Sequence, residues 1–133
     1  MDNKQLISPW LLAGDALIIL LFVFIGQRDH DMPIIASMGS LLTTALAVIV
    51  PWALAAGPLG ALRLPGEPRS WFGRIIAAWL IAAPLGVVIR ALTRGITVIP
   101  VAFMLVMLGL GVLSMLLWRA IVYVWVRRRA ATA

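Results

Sequence analysis

The chain has 133 residues, 63% of them hydrophobic and 12% charged, with a formal net charge of +6 and a mean hydropathy of +1.07. Soluble domains are about half apolar and about a quarter charged, and a chain this short cannot hide so much apolar surface in one aqueous core, which makes lipid the main solvent. The absence of cysteine excludes disulfides, thiolate metal sites and thiol nucleophiles, and the basic excess reads as topology signals and headgroup contacts rather than as a nucleic-acid footprint.

About 20 residues of helix cross a hydrocarbon core, and four segments are long enough. The first is predicted over Pro9 to Gly26, with Pro9 in the opening turn. It follows Lys4 and so resembles a secretory signal, but Asp15 interrupts its apolar region and the following Gly26 to Asp31 has no small-x-small cleavage pattern, so a retained span is expected. Asp15 is the only acidic residue within the four apolar runs. A charge near the middle of a span costs about 2.5 to 3.5 kcal/mol on insertion scales, so such a side chain faces protein or water and takes a partner. A polar loop of Arg28, Asp29, His30 and Asp31 follows.

The second helix is predicted over Ile34 to Ala56, started by Pro33, with Ser37, Ser40 and Thr44 on one face and Pro51 as a kink. Gly57 to Ser70, with Pro58, Pro65, Gly66 and Pro68, is the one substantial connection and reads as an ordered turn. Ser70 stands where an N-cap would open the third helix, Trp71 to Ile89, which carries Pro84 as a second kink. Arg90 and Arg94 occupy the next loop. The fourth helix is predicted over Thr97 to Val126, with Pro100 in its first turn, Met104, Met107 and Met115 as apolar filler, and Arg119 near its end. Gly39, Ala77, Ala78, Ala82, Gly109, Gly111 and Ser114 are small residues of the kind that let helices approach closely.

Open strands would leave backbone groups unpaired in lipid, and the apolar runs lack the alternation of barrel strands. The fold class is therefore all-α: a polytopic membrane protein whose four transmembrane helices form an antiparallel bundle, one domain over residues 1–133. No internal repeat brings the charges of the two halves into register, so an inverted-repeat transporter is not indicated. A cytoplasmic N-terminus collects Lys4, Arg63, Arg69, Arg74, Arg127, Arg128 and Arg129 inside, seven basic residues against Arg28, Arg90 and Arg94 outside. Both termini are thus expected in the cytoplasm of a cell-membrane protein. Trp10, Trp52, Trp71 and Trp125 are then expected at the inner interface, where indole rings favour the headgroup level.

Asp15 lies six residues in from the start of the first helix and Arg119 seven back from the end of the fourth. At 1.5 Å per residue both are roughly 10 Å deep. Opposite signs at matching depth on antiparallel helices point to an intramembrane pair; the alternatives are a proton or cation site at Asp15, with Arg119 snorkelling to the surface. On the outer side Arg28, Asp29, His30, Asp31, Arg90 and Arg94 form a second candidate cluster, open to three readings: a solvated loop surface, inter-loop ion pairs of Asp29 or Asp31 with Arg90 or Arg94, or a small anion or headgroup held by the arginines. Neighbouring positions in a short loop rarely converge on one ion and His30 is the sole histidine, so no metal is expected.

The run from Asp15 to His30, with Phe, Gly and Arg near its outer end, resembles the small membrane proteins grouped as domain of unknown function 3054. Pro51-Trp52, Gly86 with Arg90, and Trp118-Arg119 agree with that resemblance. It covers nearly the whole chain and implies a four-helix bacterial or archaeal membrane protein, with no activity, substrate or cofactor attached.

Two function classes stay open: a non-enzymatic structural or accessory membrane component, and a small oligomeric transporter or channel using Asp15 as its carboxylate. Small multidrug-resistance transporters share four helices and an acidic residue in the first, but this chain departs from them in its one-sided charge and in having Arg119 to neutralise Asp15. An enzyme is not expected, because His30 and Asp15 fall toward opposite sides of the membrane. The partners expected are the bilayer and a second copy or larger membrane complex, without nucleic acid and without a cofactor.

Overall fold

The computed structural model describes residues 7–28 and 34–133, and for 34–37 the backbone alone. Four helices follow in order, α1 (Pro9–Arg28), α2 (Ile34–Leu59), α3 (Pro68–Thr93) and α4 (Val101–Thr132), with no strand among the described residues. Each is long and apolar enough to cross a membrane. Helices pair most of their backbone groups within the segment, as a medium without hydrogen-bonding solvent requires.

The helices stand in a ring in chain order, α1 on α2, α2 on α3, α3 on α4, and α4 back on α1. The α2–α3 pair is the most intimate. Gly86 makes that approach possible, since a Cβ there would sit 2.9 Å from the Ala47 carbonyl oxygen and 3.0 Å from Val48 Cγ2. Gly14 and Gly111 have a different use: each leaves the space filled by an indole, Trp118 and Trp79 respectively. Gly39 and Gly109, expected to mediate close packing, have open space where a Cβ would be. Composition could not tell which face of a helix they occupy.

On α1 the buried residues are Leu11, Asp15, Ile19 and Val23, and on α4 Met107, Gly111, Met115, Arg119 and Val122. Spacings of four and three define one narrow stripe on each helix, and both charged residues fall on it. The remaining faces are exposed Leu, Ile and Val, suited to lipid. The third helix buries more, from Trp71 through Ile75, Ala78, Trp79, Ala82 and Ala83 to Val87.

Helix ends differ from expectation in six places. The first helix runs on to Arg28 and the third to Thr93, so Arg28 and Arg90 stand in the last turns of helices rather than in loops. Ser70 is not the N-cap of α3. Glu67 caps it, its Oε1 accepting from the Arg69 amide at 3.0 Å and its Oε2 from the Ser70 amide at 2.7 Å, with Pro68 opening the helix and Ser70 inside it. These two amides hold the Glu67 carboxyl below the ordinary glutamate range. The second helix runs through Pro58 to Leu59, so the connection to α3 is shorter than the Gly57 to Ser70 stretch. In the last helix Pro100 is the N-cap rather than a first-turn residue, and the helix continues to Thr132, past Val126. Pro51 and Pro84 lie inside helices that continue past them, while Pro33 lies outside the described residues.

Two helix C-termini close with the same device. Gly60 has φ +75°, its amide bonds the Gly57 carbonyl at 3.0 Å, and the Ala61 amide reaches the Ala56 carbonyl at 2.9 Å. Gly95, with φ +64°, and Ile96 repeat the pattern on Leu92 and Ala91. This Schellman geometry needs a left-handed residue, which glycine supplies without Cβ strain. At the first of these turns the chain folds inward, burying Ala61 and Leu62, and the Leu62 carbonyl accepts from the Ser8 amide at 2.9 Å.

Candidate functional site

Asp15 and Arg119 are both fully buried. Arg119 meets the carboxylate side-on, Nε donating to Oδ1 at 2.9 Å and Nη2 to Oδ2 at 2.5 Å. Two indoles complete the shell: Trp118 Nε1 donates to Oδ1 and Trp52 Nε1 to Oδ2, each at 3.0 Å. The carboxylate therefore accepts four hydrogen bonds, two per oxygen. Arg119 spends a further donor on a main-chain acceptor, Nη1 to the Ala61 carbonyl at 2.7 Å. That carbonyl is aimed inward by the Schellman turn at Gly60.

Every helix contributes. The acid comes from α1, Trp52 from α2, and Trp118 with Arg119 from α4, while Trp71 of α3 lies with its ring 5.3 Å from the guanidinium carbon, within cation–π range. Trp71 is fixed by its own bond from Nε1 to the Arg63 carbonyl at 3.0 Å. Trp79 backs the cluster, its ring 5.9 Å from Trp52 and its Nε1 bonded to the Met107 carbonyl at 3.1 Å. A bidentate, charge-assisted pair with additional donors is the arrangement in which mutual attraction offsets the desolvation of two ions. Chemically it is a closed site. Both carboxylate oxygens are occupied and the acid has no solvent contact, so proton or cation exchange at Asp15 requires the bundle to open.

Trp52 and Trp71, expected at the membrane interface, are 0% and 2% exposed. Their indoles serve polar groups inside the bundle. Trp10 and Trp125 are the exposed pair, packed edge to face at 5.9 Å, with the Arg129 guanidinium 4.0 Å above the Trp125 ring. Matching depth in the sequence points to Asp15 and Arg119 but gives no sign of Trp52, Trp118, Trp71 or the Ala61 carbonyl. An available signal was the indole N–H itself: a tryptophan deep in an apolar run needs an acceptor, and the chain has one carboxylate in its spans.

The second candidate cluster is at the end of the bundle opposite the termini. Ser40 Oγ accepts from Gln27 Nε2 at 3.1 Å and from the Arg94 guanidinium, tying α1, α2 and the end of α3 together. Arg90 lies over the Phe103 ring at 4.9 Å, its Nε buried with no hydrogen-bond partner among the described residues. Arg28 folds back over Phe24 at 5.7 Å. Asp29, His30 and Asp31, and with them the expected inter-loop ion pairs, lie outside the described residues. Of the serine and threonine face expected on α2, Thr44 is buried, its hydroxyl without a hydrogen-bond partner among the described residues. Among the described residues no group of acidic or histidine side chains is placed to hold a metal.

The model of a family described as protein of unknown function (DUF3054) matches residues 12–122, a stretch that takes in Asp15, Trp52, Trp118 and Arg119. The chain belongs to this family. No curated protein and no solved structure matches it.

Proposed function

We propose that this member of the DUF3054 family is a non-enzymatic structural or accessory component of the cell membrane, with the Asp15 cluster as the lock of its bundle. One observation carries this reading: Asp15 is fully buried and accepts four hydrogen bonds from Arg119, Trp52 and Trp118. A coupling carboxylate in a transporter must exchange its proton or ion with water on each cycle, and this one is saturated by groups of the protein itself. The partners in this reading are the bilayer and a second copy or a larger membrane complex.

Both termini are cytoplasmic in this proposal, supported by the seven-to-three bias of lysine and arginine between the two ends. Reporter fusions at the C-terminus and in the Gln27 to Met32 loop are expected to give opposite compartment readings; equal readings would overturn the orientation. The functional reading is tested by reconstituting the chain in sealed liposomes under a proton or sodium gradient. Flux no greater than in protein-free vesicles is expected. A flux abolished by Asp15→Asn in a variant that remains folded would replace the lock with a transport site.

A further inference from the structure

We propose that Arg63 and Arg74 together hold the phosphate of one anionic phospholipid at the Gly60 turn, at the end of the bundle that carries the termini. The two side chains reach this turn from different elements. Arg63 follows it in the chain, its amide bonded to the Gly60 carbonyl at 3.4 Å and its own carbonyl accepting from the Trp71 indole at 3.0 Å. Arg74 comes from the second turn of α3. A Cβ on Gly60 would lie 3.1 Å from Arg74 Nη1 and 3.6 Å from Arg63 Nε, so these nitrogens are within about 7 Å of each other, a gap that two N–H···O bonds to one phosphate span. Both residues are exposed.

Two guanidiniums this close repel each other. Neither joins an ion pair among the described residues, where the only one is Asp15 with Arg119. Glu67 is the nearest acid in the chain, but its two oxygens are taken by the Arg69 and Ser70 amides that open α3. At the end of α4, Arg127 donates to the Tyr123 hydroxyl and Arg129 lies over the Trp125 ring, so those guanidiniums have partners of their own. An anion shared by Arg63 and Arg74 relieves their repulsion, and phosphate suits them because a guanidinium donates to two of its oxygens in parallel. The bilayer supplies that phosphate. Leu59 and Leu64, beside Gly60 and Arg63 in the chain, are exposed, and so is Ile81, seven residues beyond Arg74 on the same face of α3. Apolar surface therefore leads from the guanidiniums toward the centre of the span, along which the acyl chains of a lipid held at the turn can lie. In the orientation proposed above this end meets the cytoplasmic leaflet, where anionic lipids are concentrated.

The test is native mass spectrometry of the full chain in detergent, titrated with phosphatidylglycerol, phosphatidylcholine or inorganic phosphate, alongside thermal unfolding with each. One phosphatidylglycerol retained more tightly than phosphatidylcholine is expected, with a melting temperature that it raises and inorganic phosphate does not. Equal retention of the two lipids, or an equal shift with inorganic phosphate, would overturn the proposal. Arg63→Gln and Arg74→Gln should each lower phosphatidylglycerol affinity about fivefold, the equivalent of one basic residue at an anionic surface. Arg128→Gln, which removes a charge from the end of α4 instead, should have a much smaller effect; an equal loss would show that net charge and not the turn retains the lipid. Arg74→Lys, which keeps the charge, should retain more affinity than Arg74→Gln, and equal losses would count against the site. Asp2, the other acid toward this end of the chain, lies outside the described residues. Asp2→Asn should leave affinity unchanged, whereas a severalfold rise would make the chain's own acid the counter-ion and overturn the lipid. None of these variants alters Asp15, Arg119 or their indoles, so the outcome is separate from that of the flux measurement.

Discussion

The two ends of this bundle handle charge in opposite ways. Near the termini, one acid and one arginine are sealed from solvent with every carboxylate lone pair taken, and two indoles serve as additional donors. At the other end three arginines sit beside exposed or half-buried surface, paired with a hydroxyl and aromatic rings rather than with a carboxylate among the described residues. The first arrangement is expensive to disturb, because any single loss strands an ion in an apolar interior. The second has water or headgroups to fall back on, and its side chains are interchangeable at small cost. Burial, more than the number of contacts, separates a lock from a contact surface.

That contrast is most severely tested at the pair itself. Arg119→Leu and Asp15→Asn should each destabilise the detergent-solubilised chain by about 3 to 5 kcal/mol, and Asp15→Leu with Arg119→Leu should recover much of the loss. Thermal or denaturant unfolding of the four variants gives the coupling; a double variant no better than the sum of the singles would mean the two residues act independently. Next comes Trp52→Phe, which keeps the ring and removes one donor to the carboxylate. A loss of about 1.5 to 3 kcal/mol is expected, the usual worth of a hydrogen bond to a charged group. The same exchange at the exposed Trp10 should be nearly silent, and equal effects would erase the difference between lock and surface.

At the opposite end, Arg94→Ala in detergent without added lipid should change stability by about 0 to 1 kcal/mol. A loss as large as that of Arg119→Leu would show that this end is locked as well. The smallest effect belongs to Glu67, the exposed cap of α3. Its carboxyl is held below the ordinary glutamate range, so its contribution is complete above that range and fades as pH falls through the lower folded value. Wild type and Glu67→Gln should therefore differ in melting temperature near neutrality and converge in acid; a gap that widened on acidification would contradict the cap.

Much of this could be inferred from residues alone because lipid is an unforgiving solvent. A run of some twenty apolar residues has few alternatives to helix, so all four spans were evident. Asp15 and Arg119 could be matched by depth for the same reason, since an unpaired charge is costly there. The tryptophans were harder. An indole near a span's end is equally consistent with an interfacial belt and with a donor turned inward, and only the rotation of α2 and α3 about their axes decides that Trp52 and Trp71 point to the centre. Ser70 and Glu67 posed a similar ambiguity: serine has the higher capping preference, yet Pro68 at the first helical position starts the helix early and hands the cap to glutamate. Gly86 and Gly39 are alike in sequence and opposite in packing, because one faces a neighbour's backbone and the other open space.

The 104 residues that separate Asp15 from Arg119 also impose an order on biosynthesis. Elongation at about 5 to 20 residues per second means that the first span waits roughly 5 to 20 seconds for the last one to be made. During that interval its carboxylate has only Trp52 among the side-chain donors of its final shell, and a chain ended before Arg119 never acquires the rest. The polar shell is thus completed only when the last span packs against the first, and an incomplete copy keeps within the bilayer an acid without its arginine.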